Sequence, residues 1–552
     1  MKQIDIIKTY AQKRCLIVED QADTRTALKN MLTAFGATQI DTSGNAEEAI
    51  ELCRKSTYDI VLADYNLGAG KNGQQLLEEL RHEGLLRNTS LYVIITAEAN
   101  TEYVLYALEN QPDEYINKPV TPESLRLKLD QALLRNELVL PVKMALDEHK
   151  PAKAIQACEK ILEKETSYKQ HIKKMLSELL CEQAEYDAVV DMLTKEQSKR
   201  MPLWASLSLA RAHMGLGQLD IAAQKLEDII SSQRLCVEAQ DLMAQLLEKK
   251  GKYVLAQVAL EKAIAASPRS PVRQREMARV SAKAGDLNAA AHALRAAIKQ
   301  SKNSCHEQPE DGLNLAQTLS ELALIRPESA QELHSEALTL LEQLEKRYPK
   351  HPLVTVRRYL IEAEIARQKQ NLDQTQTAIN EAVTAFKRMK FSALASTSTN
   401  LCIDCAKGFM DIGYSDEGEI LLQEIAKLTD NKIINIQIDK LLREPRTKEG
   451  INHAASLNKK GIALYKAQKT DKAINAFLNA LAEIPNHIGV NLNLLQTLLT
   501  KSKAETLQTK EVELISQSFR RIGDIADDSA HYRRYQYLHK NLRPLIASSD
   551  ET

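Results

Sequence analysis

Aromatic side chains are scarce in this 552-residue chain, with 17 Tyr, 6 Phe and a single Trp making up 4% of it. Glycine (18) and proline (15) are sparse as well. Few rings and few turn formers argue against a protein made mainly of sheet, and the abundance of Ala, Leu, Gln, Glu and Lys favours helix. Neither sign of charge dominates: 73 Lys+Arg meet 74 Asp+Glu, a net charge of -1. That balance gives no global attraction to nucleic acid or to an anionic bilayer. No apolar run approaches the roughly 18 residues of a membrane span, and Met1–Lys13 carries no apolar core ahead of a cleavage site. The expectation is a cytoplasmic protein with no membrane insertion. Eight cysteines spread over this length make no disulfide frame and read as reduced, mostly buried thiols. A chain this long exceeds one hydrophobic core, so two or more domains are expected.

From the N-terminus, after a lead of 1–13, strand-like and helix-like segments alternate five times over 14–134. Cys15–Val18, Thr38–Thr42, Ile60–Ala63, Leu91–Ile95 and Tyr115–Asn117 are short apolar runs. Between and after them, Asp23–Phe35, Ala46–Cys53, Gln74–Leu80, Glu102–Leu108 and Pro122–Leu134 carry apolar residues at helical spacing. Five βα units imply a doubly wound parallel sheet, with continuous apolar strands because both faces are buried.

Polar residues stand at the ends of these runs: Glu19-Asp20, Asp64, Thr96-Ala97 and Lys118-Pro119. The carboxyl ends of parallel strands share one edge, where such sheets bind ligands. The acidic pair, the aspartate, the threonine and the lysine should therefore converge. In that order and spacing the set resembles the receiver domain of bacterial two-component response regulators, over about 120 residues. The resemblance implies that Asp64 accepts a phosphoryl group from a phosphohistidine on a sensor histidine kinase or phosphotransfer protein. It further implies Mg²⁺ held directly by Asp20 and Asp64, with Glu19 acting through water and the backbone carbonyl of Asn66 as another ligand. The chemistry is coherent: a carboxylate and a phosphoryl group are both anionic, so a divalent cation must bridge them. Oxygen donors suit Mg²⁺, while Lys118 offers a point charge and Thr96 a hydroxyl to phosphoryl oxygens. Pro119 is consistent with a cis bond that aims Lys118.

Two further positions belong to the implied switch. Tyr115 occupies the place where receivers often carry an aromatic that turns inward when the threonine moves; it also reads as a half-buried strand tyrosine. Asn66 and Glu98, two residues beyond Asp64 and Thr96, match the chemotaxis-type pair and imply a short phosphoryl lifetime. One departure stands out: where many receivers have Met-Pro after the acceptor, this chain has Leu67-Gly68-Ala69-Gly70-Lys71-Asn72-Gly73, a longer and more flexible loop by composition.

After Arg135 a period appears. Ala154, Ala188, Ala222, Ala256 and Ala290 recur every 34 residues, as do Gly217, Gly251 and Gly285, and Leu226, Leu260 and Leu294. A small residue where helices approach, a glycine at the turn and a large apolar residue one turn on are what a helical hairpin repeat needs. The pattern resembles tetratricopeptide repeats (TPR). Five in-phase units are expected over 135–304, degenerate hairpins over 305–450 after a loop at Cys305–Gly312, a clearer unit over 451–487, and capping helices over 488–552, near Lys510–Asp524 and Ser529–Asn541. Phe391–Thr399 and Arg443–Gly450 read as polar connections.

Such a solenoid presents a concave groove for protein or peptide partners. Trp204, Leu207 and Arg211 from one unit, and Arg275, Arg279 and Lys283 from another, are candidate groove residues. The basic trio could hold an acidic segment or form a solvated face, and Trp204 could anchor a partner or pack the hairpin. Cys402-Ile403-Asp404-Cys405 reads as two buried thiols in a helix, and Tyr532-Arg533-Arg534-Tyr535 as part of a cap. With no Walker loop or nucleophile site, the output is protein binding and not an enzyme beyond self-catalysed phosphoryl transfer and autodephosphorylation. The expected protein is a response regulator whose Asp64 gates binding by the repeats. A phosphoryl sink that sequesters a kinase or another regulator is the alternative, and a nucleic-acid regulator acting through the basic C-terminal helices is a third class.

Overall fold

The computed structural model describes residues 10–547 apart from 69, 98–111, 165–166, 196–200, 234–235, 350, 390–397, 413, 430, 444–447, 485–486, 504–506 and 523–531. Two compact units emerge, residues 1–318 and 319–552.

The first unit begins with five parallel strands, β1 (Arg14–Val18), β2 (Gln39–Ser43), β3 (Ile60–Asp64), β4 (Leu91–Thr96) and β5 (Glu114–Asn117), in the order β2-β1-β3-β4-β5. Alternate residues of each strand point to opposite faces, and this divides the core in two. Ile17, Leu62, Val93 and Ile95 pack with Leu28 and Leu32 of α1 (Ala22–Ala34) and with Leu125 and Leu129 further on. Leu16, Val18, Val61 and Ile94 face the other way, onto Ile50 of α2 (Ala46–Lys55) and Leu76, Leu77 and Leu80 of α3 (Gly73–His82). Burial on both faces explains why the strands are apolar without interruption. Helix starts are fixed locally. Asn45 accepts from the Glu48 N–H, and Asn72 forms a reciprocal capping box with Gln75.

The next described helix, α4 (Pro122–Asp147), starts at a Thr121–Ser124 capping box. Sequence pattern ends it at Leu134, whereas it runs on through Pro141. An internal proline forfeits a helix hydrogen bond, yet tertiary contacts hold the extension: Asn136 donates to the Thr89 carbonyl at 2.8 Å, Lys143 pairs with Asp113 at 3.1 Å, and Asp147 accepts from Asn88 and Thr89. The sheet domain and the first hairpin thus share one helix.

The hairpins follow as α5 (Pro151–Leu162), α6 (Lys169–Glu182), α7 (Tyr186–Thr194), α8 (Leu203–Gly215), α9 (Leu219–Ser232), α10 (Val237–Lys249), α11 (Tyr253–Ala266), α12 (Pro271–Ala284) and α13 (Leu287–Ser301). Ala154, Ala222, Ala256 and Ala290 are buried where helices approach, with Leu226, Leu260 and Leu294 one turn on. Gly217, Gly251 and Gly285 adopt φ of 75°, 70° and 85° between paired helices, the left-handed conformation that glycine adopts without a Cβ penalty.

Pro309-Glu310-Asp311-Gly312, expected as loop, is instead the start of a helix, Pro309–Ile325. Proline at the first position and acids in the first turn are helix-start signals, and composition alone does not separate them from a turn. In the second unit, helical pairs continue from Ala330–Arg347 to Thr470–Glu483, and Ile488–Ser502, Thr509–Ile522 and Tyr532–Ala547 close the chain. The segment read as a connection at Arg443–Gly450 is partly helical, since Lys448–Lys466 is a helix. Most of Phe391–Thr399 lies outside the described residues. The architecture is a doubly wound parallel sheet followed by an all-α TPR solenoid. Among the described residues, no helix is long and apolar enough to cross a membrane.

Candidate functional site

At the carboxyl edge of the sheet, Glu19 follows β1, Asp64 ends β3, Thr96 ends β4 and Lys118 follows β5. Asp64 is 6% exposed and Glu19 fully buried, while Asp20 is exposed. Oxygens of Glu19, Asp20 and Asp64 lie within 4.8 Å of one another. The Lys118 ammonium donates to Asp64 Oδ2 at 2.8 Å and to Glu19 Oε2 at 3.0 Å. Its backbone N–H donates to the Thr96 carbonyl at 2.7 Å, and the peptide it makes with Pro119 is cis.

Burial pushes the Glu19 carboxyl up, with Lys118 working against the rise and Asp64 adding to it. For Lys118, burial disfavours the charge, but hydrogen bonds to Asp64 and Glu19 outweigh it and leave the ammonium raised. Three carboxylates converge and one ammonium pairs with two of them, leaving an all-oxygen donor set with negative charge to spare, which fits Mg²⁺.

Residues without an obvious motif shape this edge. Arg25 donates to the backbone carbonyls of Glu19 and Asp20, and the Glu19 N–H donates to the Ser43 carbonyl. Gly73 passes so close to β3 that a Cβ on it would lie 2.2 Å from the Asp64 carbonyl oxygen. Its N–H donates to the Tyr65 carbonyl at 2.9 Å, and its own carbonyl accepts from the Tyr92 hydroxyl at 2.7 Å. The loop read as longer and flexible is therefore tied at its far end, where Lys71 also pairs with Glu79. The signal available in sequence was the glycine directly after an N-cap asparagine.

Of the other expected site residues, Asn66 is exposed, and its side-chain oxygen accepts from the Gly68 N–H at 3.4 Å. Tyr115 has a buried hydroxyl with no hydrogen-bond partner among the described residues. Burial, and Tyr65 beside it, hold that phenol above its ordinary pKa. Glu98 and Glu102–Leu108 lie outside the described residues.

Residues 15–130 match the response regulator receiver domain family, and residues 207–271 match tetratricopeptide repeats. The chemotaxis protein CheY-3 of Vibrio cholerae is 31% identical over 122 residues, 22% of this chain and 92% of that protein. The chain belongs to the response regulator receiver family. The nitrate/nitrite response regulator NarL of Escherichia coli is 30% identical to this regulator over 132 residues, 23% of the chain and 59% of NarL. Among solved structures, a CheY-like receiver from Methanospirillum hungatei shares 28% identity over 23% of this chain and 96% of its own (TM-score 0.21). The TPR protein YrrB shares 14% identity over 36% of this chain and 93% of its own (TM-score 0.29). The receiver relatives are signalling proteins, and the acidic cluster of this regulator stands where receivers bind Mg²⁺.

In the repeats, Leu207 is buried in the packing of its hairpin, so it does not line a groove, and Trp204 packs half-buried against the first hairpins. The basic stripe is engaged by neighbouring acids: Arg211 with Glu238 at 2.8 Å, Arg275 with Asp311 at 2.7 Å, Arg279 with Glu248 and Glu276, and Lys283 with Glu248 at 2.8 Å. Sequence spacing shows one helix face and not the acids that neighbouring repeats and the helix itself set against it. Cys402 and Cys405 are both buried, and all eight cysteines are free. Tyr535 stacks on His539, and both meet Phe519 edge-on, so these rings are used in packing the C-terminal helices.

Proposed function

We propose that Asp64 is the phosphoryl acceptor of this regulator and that its modification controls which protein the repeats bind. The observation that carries the reading is the Lys118 ammonium, 2.8 Å from Asp64 Oδ2 and 3.0 Å from Glu19 Oε2. It fixes the acceptor oxygen in a buried setting beside the two other carboxylates, Glu19 and Asp20.

In this reading an Asp64 carboxylate oxygen attacks phosphorus of a phosphohistidine in line. The Oδ–P bond forms, the N–P bond breaks, and the imidazole leaves on the donor protein. Glu19, Asp20 and Asp64, with the Asn66 carbonyl, would hold Mg²⁺, which neutralises charge between the two anions. Lys118 then turns from Asp64 to a phosphoryl oxygen, and Thr96 donates its hydroxyl to another. Tyr115, with its buried and unbonded hydroxyl, is the side chain that responds to movement of Thr96. Asn66 and Glu98 tune how long the phosphoryl group survives. Transmission to the repeats follows α4, whose far half is bonded to the β4 and β5 approaches through Asn136, Lys143 and Asp147.

The experiment is a tagged pull-down of the full chain with Mg²⁺ and beryllofluoride beside Asp64→Ala, with bound proteins identified by mass. A partner gained or lost only where Asp64 can be modified supports gating. Identical partners in both lanes overturn gating, and failure of Asp64→Asn to abolish labelling by a small phosphodonor overturns the acceptor assignment.

A further inference from the structure

Three donor side chains outside the acidic pocket meet where the chain, after five hairpins, returns to the receiver. Glu78 lies on α3 of the receiver, and Cys305 and His306 lie between α13 and the helix Pro309–Ile325. A carboxylate oxygen of Glu78, the Cys305 sulfur and an imidazole nitrogen of His306 lie within 4.8 Å of one another. The His306 Nε2 to Glu78 Oε2 distance is 3.1 Å, with side chains 30% and 7% exposed. We propose that Glu78, Cys305 and His306 form a binding site for a borderline-soft divalent cation of the zinc class, which clamps the repeats to the receiver.

The donor set decides the class of ion. Thiolate plus imidazole selects Zn²⁺-like ions over Mg²⁺ or Ca²⁺, which want oxygen alone. Donors around tetrahedral zinc stand about 3.5 Å apart, a closure within reach of small side-chain rotations here. Three protein ligands leave a fourth position for water. A cavity of about 490 Å³ lined by Lys71, Glu79, Asn303, Ser304, Cys305 and Glu307 gives solvent a path to the sulfur.

A second observation points to a missing polar group beside these donors. One helical turn before Glu78, on the same face of α3, Gln74 is fully buried with both amide atoms unbonded among the described residues. Buried amides are normally satisfied, and a metal-bound water in the fourth position would supply a donor for the amide oxygen on that face. Binding exchanges protons for metal: M²⁺ enters, and the imidazolium and the thiol each release a proton as they become ligands. No electrons move. The site uses none of the acceptor pocket and stands or falls apart from the proposed phosphorylation.

Titrating the full chain with Co²⁺, a coloured stand-in for Zn²⁺, tests this. The expected result is a near-ultraviolet thiolate-to-cobalt charge-transfer band that saturates at one equivalent, persists in Asp64→Asn and disappears in Cys305→Ser. His306→Gln and Glu78→Gln should each weaken binding at least about tenfold. No band at one equivalent, or a band that survives in Cys305→Ser, overturns the site. Unchanged affinity in Glu78→Gln overturns the clamp, because the ligands would then come from the loop alone. Far-ultraviolet dichroism on each variant establishes that the helices are intact, so that loss of the band is read as loss of ligands.

Discussion

Gly73 and Asp64 are in direct backbone contact: a Cβ at position 73 would fall 2.2 Å from the Asp64 carbonyl oxygen and 3.0 Å from its carbonyl carbon. The start of α3 is thus pressed against the end of β3, and the position of the Asp64 carboxylate depends on a missing methyl group.

Gly73→Ala should therefore act on both stability and acceptance. The added methyl meets backbone, which cannot swing aside, so overpacking should cost about 1–3 kcal/mol. The carboxylate should also shift away from Lys118. Thermal denaturation and the rate of labelling by a small phosphodonor, measured on the same protein, check the pair. A stable variant with wild-type labelling would refute the argument.

Removing Lys118 leaves Glu19 and Asp64 facing each other in a buried pocket. Lys118→Ala should lower stability by about 2–3 kcal/mol at neutral pH in the presence of a chelator. Added Mg²⁺ should recover more stability in the variant than in the parent, since the cation then carries all the compensating charge. Equal Mg²⁺ responses of the melting temperature would contradict it.

His171, on α6, is held down to about 4 by burial and by Arg135, Lys143 and Lys174, with Asp113 opposing. A folded pKa below the unfolded value, about 6.5, means that the unfolded chain binds the extra proton between those two pH values. The contribution is present above about pH 6.5 and is lost as pH falls toward 4. His171→Gln should flatten the acid side of the stability curve in that window and leave it unchanged above pH 7. A parallel shift at every pH would show that packing, not titration, is responsible.

Arg273 locks successive repeats. Its guanidinium reaches Asp241 at 2.9 Å through Nε and again through a terminal nitrogen, and the Ser267 carbonyl at 2.9 Å. Arg273→Met should cost about 3 kcal/mol, because Asp241 loses its partner. Arg273→Lys should restore only part of it, since an ammonium cannot reproduce the fork. Urea unfolding of the three proteins gives the ordering.

The sequence alone determined what depends on local chemistry and on period. Alternation of apolar runs and helical faces specified five βα units, because a strand buried on both faces has to be apolar throughout. The order Glu19-Asp20, Asp64, Thr96, Lys118 marked the carboxyl edge, since each residue ends or directly follows its strand. The 34-residue spacing located the hairpin turns at Gly217, Gly251 and Gly285. Only the tertiary structure decided what depends on residues far apart in the chain. It carried α4 through Pro141, because Asp113, Thr89 and Asn88 bond to it. It turned Pro309–Gly312 into a helix start. It set Glu238, Glu248 and Asp311 against the basic stripe and brought Glu78 to His306 across 228 residues of chain. Those pairings follow from how hairpins stack, and no local pattern encodes which face one repeat presents to another.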